Sequence, residues 1–454
     1  MTGKRAIVLL AALVLDACST YQPLPLSDKP ATLQEIPHLT VDAKQLPLPE
    51  LPAHPFAPSE GGLDITDIAI LAVVNNPDLK AARNDVNIAH AQAFSASLLP
   101  DPQLGLSADF NRNPDANTTK GYSIGPSYDF GSLLTHSSLR AAADAESTKT
   151  DLTLLWQEWQ VVVQARLLFI KLTQSEKLAQ LLQQHHDFYV QRSLHNQEAL
   201  KRGLITVDVA TSALVSMQDI EKQINDLEHQ NNQTRHDLNE LLGLAPSVYV
   251  PLRGEAVLPP LDNAGIEGML SHIAQRRPDL VALQYGYKAE DERYRAAIIA
   301  QFPALTLGLT RARDTTNVYS QGFNVSFSLP IFNRNRGNIA IEKATRQKLY
   351  DDYQQRIDVA RNDIDRILVE QRINQRQLIQ VNANVQLMEE QKQNIQRAFT
   401  NRSIDELLLS TADTALLARQ TEQLALEQSM LEQQVALQSL LGGELPVQFQ
   451  GNRE

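Results

Sequence analysis

Four short stretches of the chain alternate strictly between apolar and polar residues. Leu104, Leu106, Ala108 and Phe110 interleave with Gln103, Gly105, Ser107 and Asp109, and Tyr122, Ile124, Pro126, Tyr128 and Phe130 interleave with Ser123, Gly125, Ser127 and Asp129. Further on, Leu305, Leu307 and Leu309 alternate with Thr306, Gly308 and Thr310, and Phe323, Val325, Phe327, Leu329 and Ile331 alternate with Asn324, Ser326 and Ser328. A period of two gives a strand one apolar and one polar face. The pattern predicts strands at 103–110, 122–130, 304–311 and 322–331, joined in pairs by the polar loops Asn111 to Gly121 and Arg311 to Gln321. Strands of about nine residues with aromatics near their ends match tilted strands crossing hydrocarbon. The expected lipid-facing positions are Leu104, Leu106, Phe110, Tyr122, Ile124, Leu305, Leu307, Phe323, Val325 and Phe327.

Most of the remainder has a helical period. No proline or glycine interrupts Ser137 to Lys201, where Leu152, Leu155, Trp159, Val163, Leu167 and Ile170 hold one stripe. Asn338 to Asn401 is its counterpart, with Leu349, Tyr353, Ile357, Ala360, Ile364 and Ile367. Each run of about 60 residues would reach ~90 Å. A break follows each, then a return helix ending at Leu242-Gly243 or Leu441-Gly442; Leu417, Leu424 and Leu431 keep a heptad spacing in the second. The amide-rich faces of these helices suit either bulk solvent or the wall of a water-filled tube.

These elements are one unit written twice. Asn76-Pro77-Asp78-Leu79 recurs as Arg277-Pro278-Asp279-Leu280, and the strand start Pro102-Gln103-Leu104-Gly105-Leu106 recurs as Pro303-Ala304-Leu305-Thr306-Leu307, both at an offset of 201. Gly203-Leu204-Ile205 aligns with Arg402-Ser403-Ile404 at an offset of 199. The expected organisation is a first repeat over 63–250 with a helical hairpin at 137–243, a linker over 251–262, a second repeat over 263–442 with a hairpin at 338–442, and a tail over 443–454. Four strands cannot close a barrel, and open edges cannot sit in lipid, because their N–H and C=O groups would be unsatisfied. Closure needs other copies, and three would supply twelve strands around a lumen lined by Ser, Gly, Thr and Asn.

A net charge of -12 argues against nucleic acid as a partner. Lys4 and Arg5 precede a ten-residue apolar run, Ala6 to Leu15, which is too short to span a bilayer and reads as an export signal over 1–18. Cys18 is the only cysteine, so no disulfide can form within one chain. Leu15-Asp16-Ala17-Cys18 resembles a lipobox in which Asp16 is unusual; the expectation is an acylated Cys18 followed by an extension over 19–62.

The ordered, duplicated set of N/R-P-D-L helix starts, P-x-L-x-L strand starts, the Arg202-Gly203-Leu204 break and the L-L-G helix ends resembles the TolC family of bacterial outer membrane factors, in its lipoprotein branch, from Leu63 to Gly442. The resemblance implies a mainly α fold with a membrane β-barrel: a homotrimer whose twelve-stranded barrel continues into a periplasmic α-helical barrel. It implies a periplasmic adaptor and an inner-membrane pump of the resistance-nodulation-division type as partners, with outer membrane lipid around the barrel. It also implies adaptor contacts at the hairpin tips, here Arg202, Gly203, Leu204, Ile205 and Thr206 and, with no glycine, Arg402, Ser403, Ile404 and Asp405. For the acidic periplasmic constriction of such channels the matching candidates are Asp208, Asp405, Glu406 and Asp413. Pro330-Ile331-Phe332-Asn333-Arg334-Asn335-Arg336-Gly337-Asn338 resembles the strand-to-helix junction of cobalt-zinc-cadmium efflux channels, which implies heavy-metal cations as cargo; drugs or other small molecules are the alternative.

No phosphate loop, nucleophile elbow or H-E-x-x-H occurs, so neither an enzyme nor a cofactor is expected. His185, His186 and Asp187 with His195 form the one histidine cluster; adjacent histidines diverge by about 100° on a helix, so a solvated face is expected and no metal site. A periplasmic coiled-coil adaptor or scaffold lipoprotein is the rival from another class. It would have no use for apolar residues on one face of four duplicated strands.

Overall fold

The computed structural model describes residues 21–37, 61–112, 118–256, 263–401 and 403–443. The export signal, Cys18, much of the 19–62 extension, part of the 251–262 linker, Arg402 and the tail beyond 443 lie outside them. The first repeat runs α1 (Ile65–Asn75), α2 (Pro77–Ser97), β1 (Gln103–Asp109), β2 (Gly121–Asp129), α3 (Phe130–Lys201) and α4 (Val207–Leu241). The second repeats it as α5 (Asn263–Ser271), α6 (Ile273–Arg276), α7 (Pro278–Ile299), β3 (Leu305–Arg313), β4 (Tyr319–Phe327), α8 (Arg336–Thr400) and α9 (Glu406–Leu441).

Local chemistry sets the element ends. Asp64 caps α1 through a box in which its Oδ1 accepts from Thr66 and Asp67 N–H at 2.9 Å while Asp67 Oδ2 accepts from Asp64 N–H. Asn76 caps α2 on Leu79 N–H and donates its Nδ2 to Leu241 O at 3.0 Å, tying the end of α4 to the start of α2. The duplicate diverges here. Arg277 does not cap α7; its guanidinium lies 4.9 Å from the Trp156 ring and grips Asp279 through Nε and Nη2 at 2.9 and 2.7 Å. Burial pushes Asp279 up, but Arg277 and Arg356 outweigh it and hold the carboxyl below its usual range.

Two regions differ from the boundaries expected of the sequence. α3 starts seven residues early, at Phe130 rather than Ser137, because Asp129 accepts from Gly131 N–H at 2.8 Å and turns β2 directly into helix. The second strand pair is displaced toward its loop. Arg313 still belongs to β3 and Tyr319 already belongs to β4, so most of the expected Arg311 to Gln321 loop is strand. Asp314 closes the short turn by accepting from Thr316 and Val318 N–H, with Asn317 at φ 66°. At the other end β4 stops at Phe327, before Pro330, which lacks an N–H for the ladder.

The four strands form one antiparallel sheet in the order β1-β2-β3-β4. Leu106 pairs with Ile124, Tyr128 with Leu307, Leu307 with Val325 and Leu305 with Phe327. Cross-strand partners share a face, so every apolar row falls on the same side of the sheet and every Ser, Thr, Asn and Gly row on the other. β1 and β4 end the sheet, each with one unpaired edge.

The helices surround α3 unequally. α3 packs against α1, α2, α4, α7 and α9, whereas the packing of its duplicate α8 is chiefly against α7 and α9. The main core gathers Ile68, Leu71, Leu79, Phe169, Ile170 and Leu238; a smaller one joins Ile364, Ile367, Leu280 and Leu437.

Candidate functional site: strand face and helical tips

The apolar side of the sheet is bare in the single chain. Leu106 is 70 % exposed and Phe323 66 %, with Leu104, Phe110, Tyr122, Ile124, Leu305, Val325 and Phe327 also exposed and Leu307 half-buried. A contiguous apolar sheet face of this size cannot be left to water. Gly125 allows close approach beneath it: a Cβ there would lie 2.0 Å from Leu309 O.

At the far end of the long helices, the first tip turns at Gly203, with φ 69° and open space around its Cα. Gly203 N–H donates to Leu200 O and Leu204 N–H to Ala199 O, both at 2.9 Å, closing α3 with a left-handed cap. Arg202, Leu204, Thr206 and Val207 are exposed and Ile205 half-buried. In the second tip Ser403 N–H reaches Ala398 O at 2.9 Å, Ile404 is half-buried, and the exposed Asp405 caps α9 on Leu408 N–H. Arg402 lies outside the described residues. Between α4 and α9, just behind the tips, an open groove of about 850 Å³ is lined by Asp208, Val215, Leu407, Ser410 and Thr414. Asp208 is exposed there, and the Thr206 side chain with backbone N–H groups holds its carboxyl below the usual range.

Two constriction candidates are corrected by the structure. Asp413 is fully buried, accepting from His185 Nδ1 at 2.8 Å and paired with Lys392 Nζ. Burial raises its pKa, but His185 and Lys392 more than offset that and keep it low. Glu406 is buried too, against Arg192 Nε at 2.6 Å, with the Arg192 guanidinium 4.3 Å from the Phe399 ring centroid. These carboxylates are neutralised inside the wall, so of the four only Asp208 and Asp405 present free charge to solvent. His185 therefore sits on a buried seam between α3 and α9, together with Tyr189, which donates to Ser410 O at 3.1 Å. It does not lie on the solvated face expected from the sequence. Nothing local could have paired His185 with Asp413, 228 residues away.

A family model described as outer membrane efflux protein matches residues 269–443. Over this stretch the chain is similar to outer membrane efflux proteins. Among relatives, it is 26 % identical to the pyoverdine export outer membrane protein OpmQ of Pseudomonas putida, over 98 % of each chain. It is 25 % identical to the cation efflux system protein CusC of Escherichia coli K12, over 82 % of this chain and 85 % of that one. A solved CusC structure superposes with a TM-score of 0.71 at 18 % identity, covering 89 % of this chain and all of that one.

The strand-to-helix junction is a built turn. Arg334 and Asn335 adopt φ 47° and 53°, and Asn335 Nδ2 donates to Ala297 O at 2.8 Å while Arg336 Nη2 reaches Phe332 O. Two successive left-handed residues other than glycine cost about 1–2 kcal/mol each, which the contact with α7 offsets. Among the described residues no set of three or more His, Cys, Asp or Glu could hold a metal.

Proposed function

We propose that the chain is the outer membrane channel of a tripartite efflux pump, working as a homotrimer that passively conducts cargo. The observation that carries this reading is the sheet: one face apolar over most of its height, one polar face, and two unpaired edges. In hydrocarbon those edges must pair, and β4 of one copy against β1 of the next achieves this in a closed ring. Three copies give twelve strands, with lipid outside and the Ser, Thr and Gly rows around water. A conduit of this kind needs no catalytic residue.

The duplication supports the same closure in the helices. The contacts of α3 with α7 and α9 have their duplicates in α8 with α2 and α4, and a neighbouring copy can supply them. Exposed Ile341, Val359, Val369, Ile379 and Leu387 lie along α8, and exposed Ile88 and Phe94 on α2. The tips at 202–206 and 403–405 then face away from the membrane, where Leu204 and Val207 offer an apolar contact to a periplasmic adaptor that links the channel to an inner-membrane pump. Asp208 and Asp405 are the carboxylates placed to ring the closed end. Acylation of Cys18 would add a lipid anchor, and Cys18→Ser should abolish lipid labelling while leaving trimer in the outer membrane.

Heavy-metal cations are the cargo favoured here, on the Pro330–Asn338 junction and the likeness to a cation efflux protein. A metal-chelating siderophore or another small molecule is the second reading, favoured by the likeness to a pyoverdine exporter along nearly the whole chain. Deleting the gene and profiling growth against copper, silver, cobalt, zinc and cadmium tests the first: selective sensitivity supports it. Unchanged metal tolerance with siderophore retained in the periplasm assigns the second.

A further inference from the structure

β3 keeps its alternation to the last residue but changes its chemistry on the way. The row that begins Leu305, Leu307, Leu309 ends Arg311, Arg313. The register sets Arg311 between Ile124 and Gln321, and Arg313 between Tyr122 and Tyr319. All of these stand on the apolar side of the sheet, at the end farthest from the helices. The first repeat has cations at the same level: the duplicate of Arg313 is Arg112, and Lys120 Nζ lies 5.5 Å from the Phe110 ring centroid. Arg313 spans to Lys120 O at 2.7 Å and lies 5.4 Å from the Tyr122 ring centroid, while its Nε has no hydrogen-bond partner. Arg311 is exposed.

Among the described residues the nearby carboxylates do not neutralise this cluster. Asp109 alternates to the opposite face, and Asp314 is engaged in its own turn with Thr316 and Val318. From Leu305 to Arg313 the strand runs ~26 Å along its own axis, or ~20 Å along the membrane normal at the tilt of a barrel strand, which brings its charged end toward the edge of an apolar band about 25 Å tall. A charge facing lipid is costly at mid-bilayer and nearly free at the interface, and Tyr122 and Tyr319 mark that interface. A guanidinium at this level meets headgroups, and its fork matches phosphate oxygens.

We propose that Arg311 and Arg313 form a phosphate clamp, one per copy, for a phosphorylated glycolipid of the outer leaflet. The inference rests on reading the sheet as a membrane barrel. The leaflet follows from topology: the cluster is at the loop end, opposite the periplasmic helices, where an outer membrane presents its most densely phosphorylated lipid. The trimer would then be fastened to the outer leaflet by lipid contacts at three points around its rim.

The test is native mass spectrometry of the purified full-length trimer in detergent, titrated separately with diphosphoryl lipid A, with enzymatically dephosphorylated lipid A and with phosphatidylglycerol. The wild-type trimer should retain diphosphoryl lipid A, and Arg311→Gln with Arg313→Gln should weaken that retention at least tenfold while leaving the dephosphorylated lipid unchanged. Arg311→Lys with Arg313→Lys should recover part of it. Equal retention by the glutamine variant, or equal retention of dephosphorylated lipid by the wild type, would overturn the clamp. Phosphatidylglycerol held as tightly as lipid A would overturn the assignment to the outer leaflet. A chain that yields no detergent-stable trimer from outer membranes would refute the barrel itself, a different outcome from a trimer indifferent to phosphate.

Discussion

α3 and α8 are duplicates with opposite fates. α3 buries 18 of its 72 residues, among them Ile170 at 0 % exposure; α8 buries 6 of 65, and Val369, the duplicate of Ile170 at the 199-residue offset, is 47 % exposed. Their sequences are comparably apolar at these points, so the difference lies in what covers them. α3 is enclosed by helices from both repeats, and α8 packs chiefly against its own repeat. A duplicated chain that satisfies one copy of a contact internally leaves the other copy open, and the open copy is where a second molecule belongs. The sheet follows the same rule, with β2 and β3 paired on both sides and β1 and β4 on one.

The sharpest way to break this comparison is to place the same charge at both duplicates. Ile170→Asp should cost the protomer about 3–5 kcal/mol and abolish folding, because a carboxylate would be buried without a partner. Val369→Asp should leave helix content intact and abolish the trimer. Circular dichroism together with size-exclusion light scattering reads both, and equal effects at the two sites would end the distinction between internal and external cover.

The sheet faces allow a second contrast. Leu307→Arg or Val325→Arg should cost ~2–4 kcal/mol per copy near mid-bilayer, and Thr306→Arg or Ser326→Arg should be tolerated. Outer membrane yield of heat-modifiable trimer is the readout. Equal tolerance on the two faces would mean the strands never enter lipid.

A smaller effect concerns Glu290 on α7, which burial and the neighbouring Glu342 carboxylate push up to about 7, against the opposing pull of Arg293. The folded state therefore holds this proton more tightly than the unfolded chain, whose carboxyl ionises near the ordinary 4.5. Its contribution to stability is complete below about pH 4.5 and is lost as pH rises toward 7. Glu290→Gln should flatten the thermal stability profile between pH 5 and 8, and an unchanged slope would place the titration elsewhere. Smallest of all, Gly203→Ala should cost about 1 kcal/mol through its positive φ while sparing the trimer, and adaptor cross-linking at Leu204 measures whether the turn's shape matters to docking.

Periodicity was a reliable guide where chemistry repeats locally. The period-two rows of Leu305 and Phe323 and the Gly203 break stand out in the sequence because a strand face or a left-handed turn is decided within a few residues. The Arg311 to Gln321 segment misled, since polar side chains on a strand beyond the hydrocarbon look like loop. The Asp413–His185 and Glu406–Arg192 pairs were invisible for another reason: they join α3 to α9 across more than 200 residues, and both carboxylates look solvated at helix spacing.

The central claim is that the next copy covers α8, and a cysteine cross-link measures it directly. Across α3 and α9, Tyr189 OH lies 3.1 Å from Ser410 O; shifting both by 199 residues pairs Met388 on α8 with Thr211 on α4 of the neighbour. With Met388→Cys and Thr211→Cys in one chain, a short flexible bis-maleimide cross-linker applied to intact cells should link copies into dimers and trimers on a denaturing gel, while either single variant stays monomeric. Unlinked monomer from the double variant, in cells where the trimer is otherwise present, would contradict the account.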